Sequence, residues 1–216
     1  MFKLPSSTIV DKIVPKSSFD EYATTKQKKL LSSVVARIKW LNKISTQTVN
    51  LQGKEVNEIQ VFELELKEKS NVNELLLLIN KVIPYQILFV LRFNEEIMYS
   101  ISKKHTHPTN ENQAVVDWTF STSWKNVVED EFEISLSNSL DSVFQEICFK
   151  ISGKNQGKEK DIETLIAKEQ QLKQLNYSIE KITASIDKCK QFNKKVELNR
   201  QLKEMLNKKI EIDFDN

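Results

Sequence analysis

Glycine is nearly missing from this chain, with three in 216 residues. That scarcity excludes Walker-type loops, dinucleotide fingerprints and glycine-rich phosphate cradles, which need several glycines at fixed spacing so that backbone can approach a phosphate. Cysteine is almost as rare. Cys148 and Cys189 are distant in sequence and too few for a zinc site or a disulfide framework, so a reducing cytoplasm is the expected compartment. A large excess of one charge is also lacking: 32 Lys and Arg stand against 30 Asp and Glu, and the overall basic balance of a nucleic-acid binder is absent. The longest apolar run, ELLLLINKVIPYQILFVLRF, is interrupted by Asn80, Lys81 and Pro84, and reads as helix, turn and buried strand rather than a membrane span. The opening MFKLPSSTIVDKIVPK has no apolar core and contains two prolines, unlike a signal peptide.

What is present suffices for one compact domain and an appendage, since 39% of the residues are hydrophobic. Charge is spread unevenly: residues 1–50 carry a net +6, residues 51–150 a net −7 and residues 151–216 a net +3. A polyanion would favour the first segment and avoid the second.

Residues 1–25 read as irregular. Lys26 to Ile44 reads as one helix, with Leu30, Val34, Ile38 and Leu41 at helical spacing and Trp40 beside them. TVNLQ reads as a short strand and EIQVFELELKEK (residues 58–69) as a longer one. A helix follows through ELLLLINKVI, ended by Pro84. YQILFVLRF is apolar on both faces, as a central strand would be, and pairs as a hairpin with IMYSISKK. KHTHPTNENQ reads as a loop, AVVDWTFSTSW as a strand, and SLDSVFQEICFKI as an amphipathic helix capped by Ser139. The expected architecture is α+β (or α/β): a mixed sheet flanked by helices over residues 1–152, a linker over 153–160, and a helical arm over 161–216.

The arm rests on periodicity. Leu165, Leu172, Ile179 and Ile186 recur every seven residues, and Leu175, Ile182, Cys189 and Val196 follow three residues on. Such a seam argues for a coiled coil or a long helical hairpin. Near Phe192 the phase slips, which marks a stutter or a reversal of the chain, and KKIEIDF could end as a short strand. A helical apolar stripe is buried only against another helix. The expected partner-binding residues are therefore Leu165, Leu172, Leu175, Ile179, Ile182 and Ile186 of the seam, with Phe192, Asn193, Val196 and Asn199 at its break. The partner is a second copy, another protein, or the same chain folded back.

Several phrases in order, STIVDKIVPKSSF, IKWLNKISTQTVNL, EIQVFELELK, INKVIPYQILFVL, ISKK, TSW, LDSVFQEICFKI and KQFNKKVELNRQLKEM, resemble the family known as domain of unknown function 4391, across nearly the whole chain. Members of that family are associated with helicases and DNA methyltransferases in restriction-like or phage-defence clusters. The resemblance thus implies an accessory subunit of a DNA-acting system.

Three sets of residues are candidates for chemistry. Glu63, Glu65 and Lys67 share one face of their strand, with Glu65 and Lys67 about 7 Å apart. Glu-x-Lys on a strand followed by a helix and a buried strand is half of a restriction-endonuclease-like site, in which a carboxylate holds Mg2+ and a lysine polarises water. The other half, an acid on the preceding strand, is missing from TVNLQ. The alternative is a half-buried strand paired with cross-strand residues such as Arg92 or Lys103. Lys26, Lys28, Lys29, Arg37, Lys39 and Lys43 are the phosphate-contact candidates, against a solvated helix face. His105 and His107 have no companion ligands at metal spacing, so no metal site and no cofactor is expected outside the Mg2+ of the nuclease alternative. The leading expectation is a non-enzymatic adaptor that assembles through the arm with a helicase or methyltransferase, DNA contact being left open.

Overall fold

The structure, a computed structural model, describes residues 2–154 and 161–214. The chain divides after Gly153 into two compact units, and most of the expected linker, residues 155–160, lies outside the described residues.

The first unit is a mixed α+β domain built on one sheet in the order β1-β2-β3-β4-β5-β6, with a short β7 on β5. The strands are β1 (Ile9–Ile13), β2 (Val35–Ser45), β3 (Glu58–Leu66), β4 (Gln86–Phe93), β5 (Glu96–His107), β6 (Asn110–Ser121) and β7 (Lys125–Asn126). The helices are α1 (Thr25–Val34), α2 (Thr46–Val49), α3 (Asn73–Val82) and α4 (Leu140–Ser152). Along the sheet only β3 and β4 run parallel; every other pair is antiparallel. Parallel strands need a crossover, which α3 supplies.

Alternation along β3 and β4 sorts their side chains onto two faces. Phe62, Leu64, Leu66, Ile87, Phe89 and Leu91 form a buried core with Leu31 and Val34 of α1 and Leu75, Leu76, Leu78 and Ile79 of α3. Ile59, Val61, Leu88 and Val90 point the other way, and with Ile97, Tyr99 and Ile101 of β5 they are buried on the α4 side. The helix α4 forms where Leu140, Val143, Phe144, Ile147 and Ile151 recur at three and four residues. Ser139 accepts from Ser142 N–H at 3.1 Å, and Gly153 ends the helix at φ 71°.

Four sequence expectations are corrected. The helix expected over Lys26–Ile44 ends at Val34, and Val35 passes directly into β2. Val34 and Ile38 are four residues apart, a spacing that serves both a helix and a strand. Pairing decides between them: Val35, Ile38 and Trp40 stand opposite Leu66, Leu64 and Phe62, and that match requires extended backbone. TVNLQ is not a strand; Thr48 and Val49 are the last residues of the single turn α2, which Asn50 closes at φ 53°. KHTHPTNENQ is not a loop, because β5 runs through His107 and β6 starts at Asn110. Residues 1–25 contain the edge strand β1, bulged at Asp11.

Two polar anchors, Lys104 buried and Asp141 half-buried, hold the helices in place. The Lys104 ammonium reaches from β5 to the C-terminal end of α3, donating to the carbonyls of Asn80 (3.0 Å) and Ile83 (2.7 Å) and to Asn80 Oδ1 (3.1 Å). Burial pushes this lysine down to about 7. Asn80 also donates to Ser102 Oγ at 3.0 Å. The Asp141 carboxylate in the first turn of α4 accepts backbone N–H from Lys54 (2.6 Å), Glu55 (2.9 Å) and Val56 (2.9 Å). Burial opposes its ionisation, but these N–H groups outweigh that and hold the carboxyl below its ordinary value. The loop bound by Asp141 closes tightly on itself, and a Cβ on Gly53 would meet Val56 O at 1.8 Å.

The second unit is a helical hairpin. α5 (Ile162–Lys188) and α6 (Phe192–Phe214) pack together across a tight connection at Cys189–Gln191. The phase slip near Phe192 is therefore the reversal, and the expected strand in KKIEIDF is instead the last turns of α6. Leu172, Leu175, Ile179 and Ile182 are the half-buried apolar residues along the middle of α5, and Leu198, Leu202 and Met205 those of α6.

Replacing Asp141 with Ala should lower stability at pH 7 by about 2 kcal/mol. Because the folded carboxyl titrates below its unfolded value, this contribution is present above about pH 4 and is lost as pH falls through the folded value. Urea unfolding of wild type and variant at pH 7 and pH 3 should show the gap closing. Gly53→Ala should cost about 3 kcal/mol, and Lys104→Met about 2 kcal/mol through the orphaned carbonyls of α3, both read by the same measurement.

Candidate functional site

The carboxyl ends of β3 and β4 are where a parallel pair most often presents a ligand site. Here the α4-side face changes from apolar to charged. Register places Arg37 of β2, Glu65 of β3 and Arg92 of β4 side by side in one row, and Lys39, Glu63, Val90 and Tyr99 in the next. Arg37 grips Glu65 Oε2 with Nε (3.1 Å) and Nη2 (2.7 Å). Arg92 Nε donates to Glu63 Oε2 at 2.7 Å, and Lys39 Nζ reaches Asp11 Oδ1 of β1 at 2.9 Å.

The residue opposite Glu65 on the preceding strand is thus an arginine, and β2 carries no acid along its length. Lys67 does not join the glutamates. Its ammonium donates to Ser32 O at 2.7 Å, at the C-terminal end of α1, where a cation complements the helix dipole. Lys16 donates to Val35 O close by, and burial first, then Lys67, lowers its proton affinity.

Beyond Glu63 the row ends in a buried phenol. Tyr99 Oη donates to Asp130 Oδ2, and Lys125 Nζ lies 2.7 Å from Asp130 Oδ1. Burial, then the bond to Asp130, pushes the Tyr99 phenol far up. Burial opposes ionisation of Asp130, but Lys125 and Tyr99 outweigh it and hold the carboxyl below its ordinary value. Phe132 stacks on Tyr99 with ring centroids 4.3 Å apart, and Phe2 meets both rings edge-on at 6.1 Å. Phe2 and Lys3 both take left-handed backbone, φ 58° and 48°, which costs about 1–3 kcal/mol each for such residues. The burial of Phe2 offsets its share of that strain, while Lys3 pairs at the surface with Glu133.

This network has a clear chemical character. Arg37, Lys39, Arg92 and Lys125 pair with Glu65, Asp11, Glu63 and Asp130, so these eight charges sum to zero. Both candidate carboxylates are committed to guanidinium groups. Among the described residues no three His, Cys, Asp or Glu side chains converge as a metal site.

The six basic candidates do not share one helix. Lys26, Lys28 and Lys29 lie on α1, and Arg37, Lys39 and Lys43 on β2. Lys26 pairs with Glu74 at 2.8 Å and Lys43 with Glu58 at 2.8 Å. Lys28 and Lys29 remain exposed on α1. His105 Nδ1 lies 2.9 Å from Asp117 Oδ1 across the β5–β6 pair, while His107 accepts from Thr109 N–H at 3.3 Å. In the arm, the α5 residues Leu172, Leu175, Ile179 and Ile182 are half-buried and Ile186 and Leu165 buried; Phe192, Asn193, Val196 and Asn199 are exposed on α6. The Tyr99–Asp130–Lys125 group and Lys104 had no signal in the sequence beyond the place of Tyr99 and Lys104 on β5, since each of these two takes its partners from another segment.

Glu65 and Arg37 are nearly half exposed, at 45% and 49%, so Glu65→Ala should cost less than about 1 kcal/mol. Glu63 and Arg92 are more enclosed, at 17% and 28%. Glu63→Ala should cost more, about 1–2 kcal/mol, by removing the carboxylate to which the more enclosed Arg92 Nε donates. Thermal melts of the two variants should rank in that order.

No curated protein and no solved structure matches this chain. A family model described as Domain of unknown function (DUF4391) matches residues 2–208, nearly the whole chain, and the protein belongs to that family.

Proposed function

We propose that the protein is a non-enzymatic assembly subunit whose helical arm joins an α+β domain to a partner, as an accessory of a DNA-acting helicase or methyltransferase system of restriction-like or phage-defence type. The observation that carries this reading is the arm itself: a two-helix unit on which Tyr177, Phe192, Val196, Leu206 and Ile210 remain exposed. Exposed apolar side chains grouped on one element mark an interaction surface. The cross-strand pairing of the β3 glutamates with Arg37 and Arg92 supports a scaffold role for the sheet. The DNA-acting context rests on the family resemblance.

The nuclease alternative asks Glu65 to hold Mg2+ and Lys67 to act beside it. It would require Arg37 to release Glu65 and Lys67 to leave the end of α1.

Tagged full-length protein purified from its native host should bring down a helicase or methyltransferase, and removal of residues 158–216 should abolish that capture while the far-ultraviolet signature of the sheet persists. Capture that survives the deletion overturns the reading. Mg2+-dependent cleavage of plasmid DNA that disappears in Glu65→Ala would establish the nuclease instead.

A further inference from the structure

The exposed side of α6 carries a second stripe that its packing with α5 does not use. Phe192, Val196, Asn199, Lys203, Leu206 and Ile210 follow one another at alternating steps of four and three residues. They line one side of a straight helix for about five turns, or about 27 Å. All six are exposed, Phe192 at 77%. The half-buried stripe of Leu198, Leu202 and Met205 is displaced by one residue, about 100° around the axis. Two apolar stripes at roughly a right angle are what a helix needs when it has two helical neighbours, as in a four-helix bundle.

The order of residues in the second stripe identifies the neighbour. The stripe is self-complementary about position 201. When two copies of α6 lie antiparallel, Phe192 falls opposite Ile210, Val196 opposite Leu206, and Asn199 opposite Lys203, and the two-fold axis repeats each layer. Each outer layer is apolar against apolar. The central layers place an amide against an ammonium. Asn199 donates its Nδ2–H to Lys195 O of its own helix at 2.8 Å, and its Oδ1 is the amide's acceptor for an ammonium. A polar layer of this kind fixes register and orientation in helical pairs. A parallel pairing would instead set Lys203 against Lys203 at the centre, with like charges in contact.

We infer that the exposed α6 stripe is the interface for a second copy of this chain, paired antiparallel through Phe192, Val196, Asn199, Lys203, Leu206 and Ile210. The inference rests on the arm being the assembly element and names the occupant of one of its surfaces. Two α+β domains would then be carried by one four-helix assembly. At the rim, Lys195 comes alongside Lys209 of the second copy, so association should strengthen as salt screens that repulsion.

The test uses the purified full-length chain. Light scattering at micromolar concentration should give twice the chain mass, and Val196→Glu with Leu206→Glu should give the single mass with unchanged helical content. A monomeric wild-type chain overturns the inference. In a Cys189→Ser background, the double variant Val196→Cys/Leu206→Cys should oxidise to a covalent dimer, whereas either single variant should not. Crosslinking by Val196→Cys alone overturns the antiparallel register. This outcome is separable from that of the assembly reading. A monomer that still captures its host partner sinks the pairing alone, and a dimer that captures nothing sinks the adaptor role alone.

Discussion

The α+β domain depends on the parallel pairing of β3 with β4. That pair is buried on both faces for most of its length, so its residues must be apolar in both directions, and Ile59 through Leu66 and Ile87 through Leu91 largely are. A parallel pair cannot form by a tight turn, so α3 crosses the sheet and requires a seat. Lys104 and Asn80 supply it by tying the carbonyl end of α3 to β5. Antiparallel partners then extend the sheet to both sides, and α4 closes the second face through the loop that Asp141 holds.

The same pair explains why the charged face is a set of cross-strand ion pairs. At the carboxyl ends of β3 and β4 the cover of apolar side chains stops, and polar groups must take over. Neighbouring strands answer each glutamate with a guanidinium, Arg37 to Glu65 and Arg92 to Glu63. Each charge is thereby neutralised by a partner fixed in the sheet register. The Oε2 oxygen of each glutamate is the one its arginine engages. Tyr99 is likewise held protonated by burial and by Asp130, under the two phenylalanines.

The arm follows a different logic. Its helices bury one seam against each other, and a two-helix unit leaves much of its apolar surface in water. On α6 the surplus is ordered into a second stripe whose layers match when reversed. The feature that made the sequence pattern slip at Phe192 is the reversal that turns one long heptad run into two helices. The seam residues Leu172, Leu175, Ile179 and Ile182 are accounted for by the chain's own return. Phe192, Val196 and Asn199 belong to the other surface.

Composition and periodicity alone determined the class of this protein. Scarce glycine, two isolated cysteines and alternating β3 left an α+β domain with a helical arm, with α3, β4 and α4 close to where their patterns place them. The shared face of Glu63 and Glu65 was also legible, because strand alternation is a local property. What stands opposite them was not. Cross-strand neighbours are set by register, which depends on pairing between distant segments, and so the spacing around Arg37 fits a helix locally while the pairing of β2 with β3 makes it a strand. The same reason hid Lys104, whose partners lie on α3, and Phe2, which reaches Tyr99 from the far end of the domain. Local spacing decided which residues share a surface. Tertiary pairing decided which charges meet, and with that whether Glu65 is a metal ligand in waiting or one half of an ion pair.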